Sequence, residues 1–181
     1  KIGFALYSEM LDEAVSAIRA GKTPSVEAFS DRTLEINLRI PALIPEQYLP
    51  DVHTRLIMYK RIASTSSIEE LEDLQVEMID RFGLLPNATK QLFIQAEVRL
   101  RAQALGISEV DVGVAGGSVK FESTTPVPVN ALIGLLQSNP KEFKLAGSDT
   151  LRFIRELESG EARRNYIDTL ITQWEEACKS S

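Results

Sequence analysis

The chain has 181 residues, 44% of them hydrophobic, which is enough for one domain with its own core, and its formal net charge is −6. A nucleic-acid-binding surface usually carries an excess of basic residues, so the excess of acidic over basic residues argues against nucleic-acid binding as the main function. The single cysteine, Cys178, excludes an internal disulfide and a cysteine-rich zinc site, and no apolar run approaches the roughly 20 residues that span a bilayer.

The first predicted elements are a helix and a strand. Residues 6–18 place apolar side chains at the spacing of one buried helical stripe. Because the chain opens at Lys1, already inside an apolar segment, we interpret it as a piece of a longer polypeptide. Residues 34–40 alternate between apolar and polar, which predicts a half-buried strand. Residues 41–50, with three prolines, are predicted to form an extended connector laid over the surface.

Three helices are predicted next. Asp51 is placed to cap a helix that ends near residue 63, and Ser67 is placed to cap a second helix. A third helix is predicted over residues 86–105, and its apolar residues on two sides indicate that it is the most buried of the three. The second helix has one apolar side, formed by Ile68, Leu71, Leu74, Met78, Ile79 and Phe82.

Beyond Gly106 the apolar period changes from helical to alternating. Residues 110–114 and 119–121 flank two glycines, which predicts a β-hairpin. A short helix over residues 129–136 and strands over 143–145 and 151–154 follow. A final helix over residues 161–178 is predicted to bury Tyr166, Ile167, Leu170, Ile171 and Trp174. The pattern therefore predicts an α+β fold, with a helical group packed with a small, largely antiparallel β-sheet.

The residues offer little for catalysis. His53 is the only histidine, at a helix start beside Asp51, and a solvated residue is the favoured interpretation. An independent hydrolase would need a serine brought to His53 by the fold. The glycines at 116 and 117 precede a strand instead of a helix, so they do not match a phosphate-binding loop. We assign no catalytic, cofactor-binding or metal-binding residue.

Two short basic clusters keep a second class of function open. Lys60-Arg61 and Arg163-Arg164 lack the interleaved aromatic residues of a single-strand stacking platform. Contact with phosphate in an assembled protein stays possible on this pattern, so an accessory nucleic-acid-binding domain is the alternative hypothesis.

The charged side of the second helix is the main candidate site. Glu77 and Arg81 lie one turn apart on the side opposite the apolar residues, with Asp80 beside them. One interpretation is an exposed ion pair that only keeps the helix soluble, and such pairs contribute a few tenths of a kcal/mol. The other is a partner site, because a fixed array of carboxylates and a guanidinium can form charge-assisted bonds across an interface.

Several long motifs resemble one protein family. They are residues 41–56, PALIPEQYLPDVHTRL, then Tyr59-Lys60-Arg61, and Asp80-Arg81-Phe82-Gly83. Together they resemble the C-terminal domain of the bacterial transcription-repair coupling factors (Mfd). Residues 3–15 are similar to the end of the translocase module that precedes this domain in the family, so the resemblance covers nearly the whole chain.

The resemblance implies a division of labour. It places the end of the translocase module at residues 1–22 and a regulatory C-terminal domain at residues 23–181. In the family, ATP and Mg²⁺ binding and translocation on DNA belong to preceding domains. The resemblance implies that this domain packs on an N-terminal UvrB-like module of the same protein, masks UvrA recruitment and restrains the cytoplasmic protein until RNA polymerase is engaged. Glu77, Asp80 and Arg81 are then expected to form the interdomain contact.

Overall fold

The computed structural model of the chain describes residues 34–180, which form five helices and five strands. The predicted helix over residues 6–18 and the predicted boundary between residues 22 and 23 lie outside this part. Within it, no helix is long and apolar enough to cross a membrane. In chain order the elements are β1 (Glu35–Asn37), α1 (Val52–Ala63), α2 (Ile68–Phe82), α3 (Asn87–Ala104), β2 (Ile107–Gly113), β3 (Gly116–Phe121), α4 (Val129–Ser138), β4 (Phe143–Ala146), β5 (Thr150–Ile154) and α5 (Gly160–Ser180).

The described residues divide into two compact units. One contains residues 40–100, and the other contains residues 34–39 and 101–180. The division falls inside α3, so the first unit is helical, whereas the second holds the whole sheet together with α4 and α5. The predicted α+β fold is confirmed.

Local capping fixes the helices of the first unit where the sequence predicts them. The Asp51 carboxylate accepts a hydrogen bond from the Thr54 backbone N–H (3.0 Å) at the start of α1. Ser67 does the same for α2 through Glu70 N–H (3.1 Å). The apolar sides of the helices meet in one core. On the second of the two predicted apolar sides of α3, Val98 is buried and Ile94 is half-buried. The buried members from the helices include Met58, Tyr59, Ile62, Leu71, Leu74, Met78, Leu92, Phe93 and Ala96.

The prediction that residues 41–50 lie over the surface is wrong. This segment contains no strand or helix, yet Ala42, Ile44 and Leu49 are buried in the core of the first unit. Their backbone groups find partners there, since Ile44 N–H donates to the Tyr59 hydroxyl at 2.7 Å. Extended backbone can enter a core when its polar groups are bonded, so prolines alone do not place a segment at the surface.

The second unit is built on a five-stranded sheet with the order β1-β2-β3-β5-β4. The pairing of β1 with β2 is parallel and the other pairings are antiparallel, which confirms the predicted small, largely antiparallel sheet. The predicted strand over residues 34–40 is shorter than expected, but Leu34, Ile36, Leu38 and Ile40 are all buried.

The glycine pair belongs to strand β3, and the hairpin turn is formed by Val114 and Ala115. A Cβ on Gly117 would lie 2.0 Å from the Asp111 carbonyl oxygen, and Gly116 has a φ of +133°. A side chain is therefore excluded at these positions by the neighbouring backbone, which explains the two glycines without any phosphate.

One side of the sheet carries the core of the second unit. Val110, Val119 and Leu151 point inward and are buried, and the Phe121 ring meets Trp174 of α5 edge-on with centroids 5.2 Å apart. α5 buries Ile167, Leu170, Ile171 and Trp174 as predicted. Tyr166 is only half-buried, because its hydroxyl reaches Glu142 Oε1 at 2.9 Å near the surface.

Candidate interdomain contact site

The rotation of α2 about its axis sets the orientation of the candidate residues. Leu71, Leu74 and Met78 are buried, and this apolar side fixes which side of the helix faces away from the core. Asp80 and Arg81 are consequently exposed, and Glu77 is partly exposed. The predicted separation of an inward apolar side from an outward charged side is therefore confirmed.

Glu77 is held by two arginines. Arg81, one turn further along α2, donates from Nη1 to Glu77 Oε2 at 3.1 Å, as the i, i+4 spacing predicts. The second arginine was not predicted: Arg61 at the end of α1 donates from Nη1 to Oε2 at 2.5 Å and from Nη2 to Oε1 at 2.9 Å. Both carboxylate oxygens are thus used within the first unit, and Glu77 links α1 to α2.

The two arginines change the protonation of Glu77. Hydrogen bonds from Arg61, with a smaller contribution from Arg81, lower the pKa of Glu77 to about 2, against an opposing effect of partial desolvation. The same bonds raise the pKa of Arg61. Glu77 is therefore ionised at neutral pH. Its carboxylate accepts hydrogen bonds from both guanidinium groups.

Asp80 and the arginines supply the groups that remain available to a partner. Asp80 is exposed and forms no ion pair with any residue from 34 to 180. The Arg61 and Arg81 side chains are 43% and 48% exposed, and the Arg81 guanidinium lies 4.8 Å from the centre of the Phe82 ring. A guanidinium has five N–H donors, so each arginine retains unused donors.

We call Arg61, Glu77, Asp80 and Arg81 the charged array. The structure brings Glu77 and Arg81 into contact as predicted, and it places Asp80 beside them on the exposed side without bonding to either. Arg61 is the member that the sequence did not identify. Its only sequence signal is a basic residue in the last turn of α1, which does not reveal that α1 and α2 lie side by side.

The other candidate residues have different surroundings. His53 is exposed at the start of α1, where the Asp51 carboxylate is engaged in capping. In the first basic cluster Arg61 pairs with Glu77, and in the second Arg163 is buried and donates to backbone carbonyls. Within residues 34–180, no group of three or more His, Cys, Asp or Glu side chains is placed to hold a metal ion.

A model of a known protein family matches part of the chain. The TRCF domain matches residues 38–132, more than half of the 181 residues. This range contains the whole charged array. It also contains the 41–50 segment and the α2–α3 junction.

Several known proteins with similar sequences are described as transcription-repair-coupling factors. Over 175 residues the chain is 42% identical to the transcription-repair-coupling factor of Escherichia coli strain K12, covering 97% of this chain and 15% of that protein. The transcription-repair-coupling factor of Bacillus subtilis strain 168 is 44% identical over 172 residues, covering 94% and 14%. The chain therefore spans only a small part of the length of these relatives.

One solved structure supports the fold. The crystal structure of the C-terminal domain of a transcription-repair coupling factor superposes with a TM-score of 0.59, covering 76% of this chain and 91% of that one. At 22% sequence identity this likeness concerns the fold alone.

Proposed function

We propose a function for this chain from one premise, that it belongs to the transcription-repair-coupling factor family, within which it is a TRCF domain. It is a non-catalytic regulatory domain of a DNA-repair protein. In the whole protein it packs on the N-terminal UvrB-like module and masks the surface that recruits UvrA. The observation that carries the proposal is the charged array, in which an internal carboxylate fixes two partly exposed arginines beside an exposed Asp80.

The charged array is suited to an interdomain contact that forms and breaks reversibly. Exposed ion pairs contribute about 0.2–1 kcal/mol each, so a few of them give a closed state that is favoured by only a few kcal/mol. A regulatory equilibrium needs states separated by this amount, because a larger gap could not be reversed by a partner. A fixed array also loses little side-chain entropy when the contact forms.

Within the proposed contact, the hydrogen bonds of Glu77 support a role for it that differs from that of its neighbours. Glu77 has both oxygens engaged by Arg61 and Arg81, so it acts as the group that positions them. Asp80, Arg61 and Arg81 are the residues that would meet the UvrB-like module. The opposite surface should then present a cation for Asp80 and carboxylates for the two guanidinium groups.

The remaining activities are proposed for the whole protein and not for this domain. ATP and Mg²⁺ would bind in preceding domains that translocate on DNA, and engagement of RNA polymerase would favour the open state. Opening removes the mask, and UvrA then binds. This domain contributes the closed state and no step of bond-making chemistry.

Charge reversal in the full-length protein tests the proposal. Asp80→Arg replaces an attraction with a repulsion, a change of about 1–2 kcal/mol for one or two exposed pairs, so UvrA capture should rise about 5- to 30-fold. Glu97→Arg is the matched control, since Glu97 is exposed on α3 and forms no ion pair within residues 34–180. If Asp80→Arg and Arg81→Glu both captured no more UvrA than the control, the proposed contact would be wrong.

A further inference from the structure

The side of the sheet that faces away from α5 carries several basic side chains. Phe121 of β3 and Phe153 of β5 point towards α5, where each ring contacts an aromatic ring of that helix. Successive residues of a strand point to opposite sides of the sheet. Lys120 and Arg152, which are next to these two residues, therefore point away from α5, and both are exposed. Lys144 follows a buried phenylalanine on β4 and is exposed on the same side.

The register of the strands places two of these cations directly opposite each other. Lys144 is the cross-strand partner of Arg152, and Ser118 of β3 is the partner of Arg152 on its other side. Adjacent strands are about 4.8 Å apart, so these side chains leave the sheet within a band about 10 Å wide. Like charges directly opposite each other on a sheet are destabilising, and an anion bound between them would remove the repulsion. We call Ser118, Lys120, Lys144 and Arg152 the basic strip.

The cations of the basic strip are not neutralised by neighbouring carboxylates. None of them forms an ion pair with a residue from 34 to 180. Lys120 has Glu109 as its cross-strand partner, but the two side chains form no ion pair. Glu142, which precedes β4, is bonded instead by Arg155 at 3.1 Å and by the Tyr166 hydroxyl at 2.9 Å. The strip therefore presents its charges to an anion from outside these residues.

The donors of the basic strip match the groups that contact phosphate. Arginine, lysine and serine are among the side chains that bind the phosphates of nucleic acids. The Ser118 hydroxyl forms no hydrogen bond within residues 34–180, so it can donate to a phosphate oxygen. No aromatic side chain lies on this side of β3, β4 or β5, so the strip offers no platform for stacked bases. The strip therefore suits the backbone of a nucleic acid and not its bases.

We propose that the basic strip binds the phosphate backbone of a nucleic acid without reading its sequence. A nucleic acid releases condensed counterions when cations contact its phosphates, so even three contacts give measurable binding at low salt. A short acidic peptide has no such layer of counterions to release. The contact is auxiliary, because the chain as a whole has a net charge of −6. It belongs to the second unit and does not depend on the charged array, which lies in the first.

The test is the binding of a labelled duplex DNA to the 181-residue chain, measured by fluorescence anisotropy at several salt concentrations. Three phosphate contacts give a slope of log K against log salt of about −2.7, which is a loss of about 40-fold between about 50 and 200 mM salt. Arg152→Gln combined with Lys144→Gln leaves one contact. The slope should then fall to about −1, and the affinity at about 50 mM salt should fall at least about tenfold. Two duplexes of unrelated sequence should bind equally, and a preference for one of them would contradict a contact limited to the backbone.

Arg164→Gln combined with Lys179→Gln is the matched control, since it removes the same two kinds of charge from α5, outside the basic strip. It should leave the slope unchanged, because only cations that contact phosphates release counterions. An equal loss of affinity in both double variants, or no binding of DNA by the unsubstituted chain, would overturn the proposal. The urea midpoint of the strip variant should be equal or higher, because a like-charge pair is removed. A lower midpoint would contradict the repulsion from which the site is inferred.

Two competitors distinguish the nucleic acid from other anions. Polyglutamate of the same total charge as the DNA and inorganic phosphate at matched ionic strength are each added to the complex, and neither should displace the DNA. Displacement by polyglutamate would assign the strip to an acidic protein segment, and displacement by inorganic phosphate would assign it to a single anion. Either result would overturn the proposal.

Discussion

Arg163 offers the strongest test of how the second unit is held together. Its side chain is 7% exposed. Nε donates to the Leu38 carbonyl and Nη1 to the Leu157 carbonyl, both at 2.8 Å in buried surroundings. Two further bonds, to the Glu158 carbonyl at 3.0 Å and the Arg39 carbonyl at 3.1 Å, are partly buried. One guanidinium therefore joins α5 to the chain that follows β1.

Arg163→Met keeps most of the aliphatic stem and removes all four hydrogen bonds. A hydrogen bond to a charged group contributes about 1.5–3 kcal/mol, so the two buried bonds give an expected loss of about 3–6 kcal/mol in the free energy of unfolding. The two partly buried carbonyls can bond to water instead, so they add little. A loss of this size is a large fraction of the stability of a typical domain.

Urea unfolding followed by fluorescence of Trp174, the only tryptophan, measures the loss in the unit that contains Arg163. Arg164→Met is the matched control, since Arg164 makes only an exposed 3.4 Å bond to the adjacent Asn165, and its loss should stay within about 0.5 kcal/mol. If Arg163→Met lost less than about 1 kcal/mol, or no more than the control, the buried bonds would not hold β1 as described.

Two further predictions concern Glu77 and the glycines. A carboxylate whose pKa is lowered by folding stabilises the folded state at any pH above its unfolded pKa, which is near 4.5 for Glu77. The free energy of unfolding that Glu77→Gln loses should therefore be constant above pH 4.5. The loss should vanish as the pH falls towards 2. Urea titrations followed by circular dichroism at several pH values measure this loss, with Glu97→Gln as the control. A difference between Glu77→Gln and the unsubstituted chain that did not depend on pH would contradict the prediction. Gly117→Ala should lower the free energy of unfolding by about 1–3 kcal/mol, because the added Cβ would lie 2.0 Å from a backbone oxygen. Gly134 lies in α4 with no atom within 4 Å of an added Cβ, so Gly134→Ala should instead raise the free energy of unfolding by about 0.5–1 kcal/mol. Equal urea midpoints for the two alanine variants would refute the close packing of Gly117 in the hairpin.

The family motifs and the charged side of α2 can be recognised from the amino-acid sequence, but the function of each charge cannot. The i, i+4 spacing predicts Glu77 and Arg81 as a pair, and this pair forms. Spacing within one helix contains no information about a neighbouring helix, so it does not predict the bidentate bond from Arg61. Glu77, which the family resemblance implies at the interdomain contact, accepts hydrogen bonds from both of these arginines.

Basic residues were the least predictable from their own neighbourhood. Arg163 and Arg164 are adjacent and identical in type, yet one is buried among four carbonyls and the other is partly exposed. On a helix, adjacent residues are 100° apart, so one can face the core while the next faces water. The inward-facing arginine finds backbone carbonyls only because the chain after β1 and the chain before α5 both lie next to it.

The sequence by itself determined the elements of this protein, because caps, turns and apolar periods act over a few residues. Asp51, Ser67 and the Phe82-Gly83 junction start and end helices at the expected places. Only the tertiary structure decided which distant groups meet. It placed β1 parallel to β2, about 70 residues further along the chain, drew the 41–50 segment into a core, and set Arg61 on Glu77. These contacts depend on how whole helices and strands pack against one another. The sequence pattern of a single helix or strand does not contain that information.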